Sequence, residues 1–276
     1  MRFAVSGKRS CALFCVGAAL FAGSARAEEN APSFRAPEGS VIINLPSADP
    51  IGEGSLQLLV NHRFSEPVQN STLHSFFSFF SSATVGLGLS YAPVRGLEAG
   101  FLRGQALEDW EVFAKYGLLS SPDSPLHAAV RIGGNIKGQK GFEDRASFFA
   151  QGIVAFTIAE RVRITAVPTY SSRAAGLQDV PGVPLRSDIF NVPLALSGSI
   201  TRTINIQGEF VPRTNVNPGA GWIAAIEKTV PRHRFSFTVG SLRDTTVDQY
   251  LASDFRGLSP HNIYFGFNII RQWKLD

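Results

Sequence analysis

Ten charged or titratable side chains stand within, or at the edge of, stretches that are otherwise apolar at every second residue: Arg63, Glu98, Glu111, Lys115, His127, Arg131, Arg145, Arg163, Glu209 and Glu227. Val130 and Ile132 flank Arg131, and Val162 and Ile164 flank Arg163. In extended chain successive side chains point to opposite faces, so this spacing gathers the charges on one face and the apolar residues on the other. Both signs are present. The chemistry on offer is ion pairing and the solvation of polar solutes, in a narrow polar channel or in a salt-bridged closed interior, and the sequence leaves both open.

Other chemistry is harder to find. His62-Arg63-Phe64 invites pairing of a histidine with a serine nucleophile, but no Ser/His/Asp or Ser/His/Asn arrangement recurs at a readable spacing, and His74, His127, His233 and His261 are scattered. There is no HExxH pattern, and Gly86, Gly88, Gly133 and Gly134 lie in strand-like runs with no helix after them to cradle a phosphate. No catalytic residue, metal site or cofactor is expected. The aromatic run Phe76, Phe77, Phe79 and Phe80 could fold inward as a constriction, bind a hydrophobic ligand, touch lipid or a partner, or extend a strand above a membrane.

The elements that must position the charged face are strands. About twelve runs of near ten residues alternate from Gly54 to Trp273, the cleanest being Ser82 to Tyr91, where Ala83, Val85, Leu87, Leu89 and Tyr91 oppose Thr84, Gly86, Gly88 and Ser90. Two of the runs, Arg161 to Tyr170 and Asp188 to Ser197, read as continuous strands. The connections alternate too. Those at Pro93, Ala159, Ser199 and Pro231 are tight, whereas those after Glu66, Gly138, Ser171, Asn215 and Asp244 are long; a short one near Gly104 and a longer one at Ser120 to Pro125 break the rule. An even strand count puts both termini on one side, and if that side is the periplasm the long connections are external.

The first 27 residues read as a secretory signal: Arg2, Lys8 and Arg9, an apolar Cys11 to Ala22, and Ala25-Arg26-Ala27 before Glu28. Cys11 and Cys15, the chain's two cysteines, both fall inside it, and neither has the small residues before it that lipid attachment prefers. Removing Arg2, Lys8, Arg9 and Arg26 from the 26 basic residues leaves 22 against 22 acidic ones, so the apparent basic character disappears. A neutral chain lacks the basic patch that nucleic-acid binding requires. Residues 28–53 carry Pro32, Pro37, Pro46 and Pro50 around Val41-Ile42-Ile43-Asn44-Leu45 and read as an extended lead segment, free to lie in the periplasm or to tuck into a lumen as a plug. Residues 54–276 are the strand-rich domain.

Charged residues make up only 17% and Phe is abundant at 22 residues, yet past the leader no stretch approaches the ~20 apolar residues of a transmembrane helix. A secreted β-sandwich would also alternate, but Phe-rich faces opposite charged ones would turn a soluble sandwich inside out. The expectation is an all-β, up-and-down antiparallel transmembrane β-barrel of about twelve strands, with the apolar face toward lipid because a charge at mid-membrane costs ~2–4 kcal/mol.

The segments Gly54 to Phe64 (GSLQLLVNHRF), Gly96 to Leu118 and Asn262 to Arg271 (NIYFGFNIIR) resemble a family of bacterial outer-membrane β-barrel proteins known as a domain of unknown function. The resemblance implies an outer-membrane barrel with no established activity and supplies no catalytic or ligand residues. One departure is the ending: Lys274-Leu275-Asp276 follow Trp273, where such barrels commonly end on an aromatic residue read by the assembly machinery. The expected surroundings are outer-membrane lipid, the barrel-assembly machinery and a small solute. A narrow pore is the preferred function, followed by a closed structural or partner-docking barrel and then an outer-membrane lipid-modifying enzyme.

Overall fold

The computed structural model describes residues 39–72, 79, 81–105, 108–121, 124–138, 146–159, 161–174, 187–214, 220–243, 245–252 and 263–275. Fourteen strand segments run in sequence: β1 (Ser55–Phe64), β2 (Ala83–Val94), β3 (Leu97–Gly104), β4 (Asp109–Leu119), β5 (Leu126–Lys137), β6 (Ala146–Ile158), β7 (Val162–Ala166), β8 (Thr169–Ala174), β9 (Ser187–Asn191), β10 (Leu194–Ser199), β11 (Ile204–Val211), β12 (Gly221–Val230), β13 (His233–Gly240) and β14 (Tyr264–Lys274). Each pairs antiparallel with its neighbours. β1 closes on β14 with Ser55 opposite Lys274 and Arg63 opposite Gly266, and the β5–β6 pairing joins the two ends of the sheet.

Closure makes twelve barrel strands of the fourteen segments. β6 pairs with both β7 and β8, so these are two halves of one strand, and β9 and β10 are likewise halves of the next. Pro168 and Pro193 cause both breaks, because proline has no N–H to give the ladder. The expected continuous strands Arg161 to Tyr170 and Asp188 to Ser197 are therefore interrupted, and the gap is bridged by Val167 N–H donating to Pro193 O (2.8 Å) and Gly152 N–H to Pro168 O (2.9 Å).

The two faces have opposite character. Phe190 is 68% exposed, Ile132 and Phe148 62% each, and Leu87, Val112, Leu196 and Ile226 are exposed in the same register. One residue along the same strands, Arg131, Ser147 and Glu227 are buried. Tyr91, Tyr116 and Trp273 lie toward the end that carries both strand termini, and Trp110, Tyr170 and Trp222 toward the other, as interfacial girdles require. The connections at the end with the termini are 95–96, 120–125, 159–161, 200–203 and 231–232, with Gly96 at φ 82° completing the first of them; we call this the terminal rim. At the opposite end, the loop rim, lie the strand ends Phe64, Ala83, Gly104, Asp109, Lys137, Ala146, Ala174, Ser187, Val211, Gly221, Gly240 and Tyr264.

Candidate functional site

Residues 39–53 enter the barrel from the terminal rim and reach inner-face residues of strands around its whole circumference. A tight turn closed by the Val41–Pro46 bridge, with Ile42 N–H donating to Leu45 O at 2.8 Å, points three successive amides at one carboxylate. Glu209 of β11 accepts from Ile43 N (2.7 Å), Asn44 N (2.9 Å) and Leu45 N (2.9 Å). Asn268 of β14 donates to Ile43 O at 2.8 Å, and Arg63 of β1 spans Asn44 Oδ1 (2.9 Å) and Asn268 Oδ1 (2.7 Å). On the opposite wall Lys115 of β4 donates to the carbonyls of Ser40 (3.2 Å) and Asp49 (3.2 Å), and pairs with Glu98 of β3 at 3.1 Å. Glu98 also accepts from Ile51 N at 3.2 Å.

Close to the terminal rim the carboxylate of Asp49 bridges His127 Nδ1 (2.8 Å) and Arg163 Nη1 (2.6 Å). Arg163 Nη2 lies 3.3 Å from His127 Nε2, and Arg163 Nε donates to Thr157 Oγ1 at 3.1 Å. A guanidinium can only donate, so Nε2 accepts and Nδ1 carries the proton that faces Asp49. Asp49 keeps 26% side-chain exposure while His127 and Arg163 are buried.

A second segment enters from the loop rim. Residues 245–251, which include most of the six-residue helix α1 (Val247–Ala252), are buried. Val247 N–H donates to Glu111 Oε2 at 2.7 Å, Asp248 pairs with Lys137 and accepts from Ser147 Oγ (3.2 Å), and the Tyr250 hydroxyl meets Gln151 Nε2 at 2.9 Å. Glycine makes room at one point: a Cβ on Gly86 would approach Thr245 Oγ1 to 2.9 Å. Arg131 pairs with Glu111, donates to Gln151 Oε1 at 2.7 Å, and lies between Phe113 and Phe149, 4.1 and 4.9 Å from their ring centroids.

The two inserts share one apolar cluster inside the barrel, in which Ile42, Ile43 and Leu45 of one and Val247, Tyr250 and Leu251 of the other join wall residues such as Ile153, Ile189 and Ile223. The cavity left between them, lined among others by Asn44, Gln57, Lys115, Arg131 and Tyr250, offers about 40 Å³ to water centres. That is enough for ordered water between the two inserts.

Of the ten side chains singled out from the sequence, Arg63, Glu98, Glu111, Lys115, His127, Arg131, Arg163, Glu209 and Glu227 are buried on the inner face, and Arg145 lies outside the described residues. They form two centres rather than one: Glu98, Lys115, His127, Arg163, Glu209 and Arg63 hold the lead segment, and Glu111 with Arg131 supports α1. Glu227 pairs with Arg234 (2.6 Å), which also reaches Val41 O. The sequence reading passed over Asp49, Asp109, Lys137, Arg234 and Asp248. Asp109, Lys137 and Arg234 obey the same alternation, beside Trp110, Ile136 and Phe235; Asp49 and Asp248 lie in segments without period.

His62 faces outward. Its ring stacks on Phe267 at 4.5 Å, and its cross-strand partners are Val85 and Phe267. Phe79 also lies on the outer face, against Phe64 (5.0 Å) and Phe265 (5.9 Å), so this residue does not constrict the lumen; Phe76, Phe77 and Phe80 fall outside the described residues. No group of three metal-ligating side chains occurs among the described residues.

A closed twelve-stranded barrel with an apolar outer band, girdle aromatics and a polar, filled interior defines a membrane β-barrel. The chain belongs to the family described as membrane bound beta barrel domain (DUF5777), which it matches over residues 38–273. No curated protein matches its sequence. Among solved structures it is similar to the NanC porin, with 10% identity, a TM-score of 0.52 and coverage of 78% of this chain and 98% of that one. It is also similar to outer membrane phospholipase A from Escherichia coli, with 11% identity, a TM-score of 0.45 and coverage of 86% and 98%. At such identities the porin likeness speaks for the fold alone.

Proposed function

We propose that the protein is an exported outer-membrane barrel that passes small polar solutes through a narrow pore, closed at rest by its own residues 39–53. Residues 1–27 direct export and are removed. The barrel-assembly machinery inserts the remainder, the outer band meets outer-membrane lipid, and the terminal rim faces the periplasm.

The observation that carries this reading is the chemistry of the wall behind the lead segment. Arg63, Glu98, Lys115, His127, Arg163 and Glu209 are charged or polar where they meet it. Buried ion pairs are often no more stabilising than apolar residues of the same volume, so a permanent filler would be held better by an apolar wall. A polar wall is the one that also works when wet. A second reading, a closed structural or partner-docking barrel, is favoured by the apolar cluster around Ile43, Leu45 and Leu251. Planar-bilayer recording decides between them. The pore reading expects rare openings from the full chain and frequent ones once the lead segment is loosened at Glu209; silence from both at every voltage overturns it in favour of the closed barrel.

A further inference from the structure

Asp49 is a carboxylate supplied by a chain segment to a site whose other members belong to the barrel wall. His127 comes from β5, Arg163 from β7 and Thr157 from β6, and the guanidinium is oriented by Thr157 before Asp49 is considered (3.1 Å). Both carboxylate oxygens are used, one on the imidazole at 2.8 Å and one on the guanidinium at 2.6 Å. Lys115 stands beside them, its ammonium on the Asp49 carbonyl at 3.2 Å. When the segment leaves, His127, Arg163 and Lys115 lose the contacts that Asp49 makes with them. Planar donor pairs of this kind favour carboxylates.

We propose that His127, Arg163 and Lys115 form a carboxylate-binding site in the lumen, open to the terminal rim, and that Asp49 occupies it as a built-in competitor for a small carboxylate solute. The site deepens the pore reading and rests on it for its physiological use, but its occupancy is measurable without passage. A tethered competitor acts at an effective concentration of roughly millimolar or more, so an external carboxylate must outcompete it in the intact chain. Binding and displacement of the segment are then one event.

The test is gluconate binding to full-length protein in detergent micelles, followed through histidine ring nitrogen resonances in the intact chain, Asp49→Asn and Asp49→Asn/Arg163→Gln, with heat-modifiable gel mobility confirming the fold. Gluconate should shift the His127 resonance in Asp49→Asn at concentrations at least tenfold lower than in the intact chain, and glucose should not. The double substitution should abolish the shift. Equal binding in all three proteins, or none in Asp49→Asn, overturns the site, and inorganic phosphate binding as tightly as gluconate overturns its carboxylate character. Should Asp49→Asn fail to fold, the intact chain still decides: saturable displacement of the His127 resonance by gluconate supports the site, and its absence up to molar concentration removes it. Gluconate binding without bilayer conductance would leave this site standing while the pore reading falls.

Discussion

Replacing Glu209 by alanine should unlatch the lead segment. Three amides, those of Ile43, Asn44 and Leu45, converge on this carboxylate at 2.7 to 2.9 Å, deep in the barrel. Hydrogen bonds to a charged group contribute about 1.5–3 kcal/mol each, but their loss is not additive, because water entering the vacated space satisfies part of the turn. Breaking one side of a buried charged contact costs about 3–5 kcal/mol, and at 1.4 kcal/mol per factor of ten that moves the ratio of displaced to seated segment by about two to three and a half orders of magnitude. Burial of Ile43 and Leu45, about 1.5–3 kcal/mol each, still opposes release, so the variant should flicker and not stand open. In planar bilayers the open probability of Glu209→Ala should exceed that of the intact chain by roughly a hundredfold. Glu209→Gln keeps a neutral acceptor and should fall between them. If a folded Glu209→Ala barrel opened within threefold of the intact chain, the carboxylate would not be the latch.

Substitutions at three further positions test the architecture. Arg131→Ala leaves the Glu111 carboxylate buried without its cation and should lower unfolding stability by about 3–5 kcal/mol, and Arg131→Met, which retains packing between Phe113 and Phe149 but not the charge, should lose nearly as much; a methionine variant as stable as the intact chain in urea titrations would contradict the role of charge. Gly266→Ala places a methyl against the His62 carbonyl and the Arg63 Cδ at the β1–β14 seam and should cost about 1–3 kcal/mol, seen as a lower temperature of gel-mobility conversion; an unchanged temperature would mean the seam is looser than described. Ile132→Arg puts a charge at the middle of an exposed apolar strand face and should lose ~2–4 kcal/mol in folding titrations in lipid vesicles, a loss that shrinks toward zero if this face does not meet hydrocarbon.

The barrel was legible in the sequence because a period of two translates directly into two faces, and the membrane keeps those faces chemically opposite. Arg131 between Val130 and Ile132 needed no tertiary information to be placed. Asp109 and Arg234 needed only the same parity carried to the strand ends. Pro168 and Pro193 were visible too, but their effect was not, because only the neighbouring strand reveals that both fall at the same height of the wall. The lead segment could not be placed. Its latch is 165 residues away from Asn44, and a turn whose amides point at a distant carboxylate has no local signature. Asp49 was passed over for the same reason, and α1 is too short to leave a helical period.

The two inserts enter from opposite rims yet bury their apolar residues in one cluster, with Leu45 and Tyr250 as members. A segment anchored on one side of the membrane thereby senses the fit of a segment anchored on the other. Coupling of this kind is reciprocal: whatever loosens residues 245–252 weakens the hold on residues 39–53 by the same free energy, and the reverse. The two rims are thus linked through the lumen, with no change required of the strands between them.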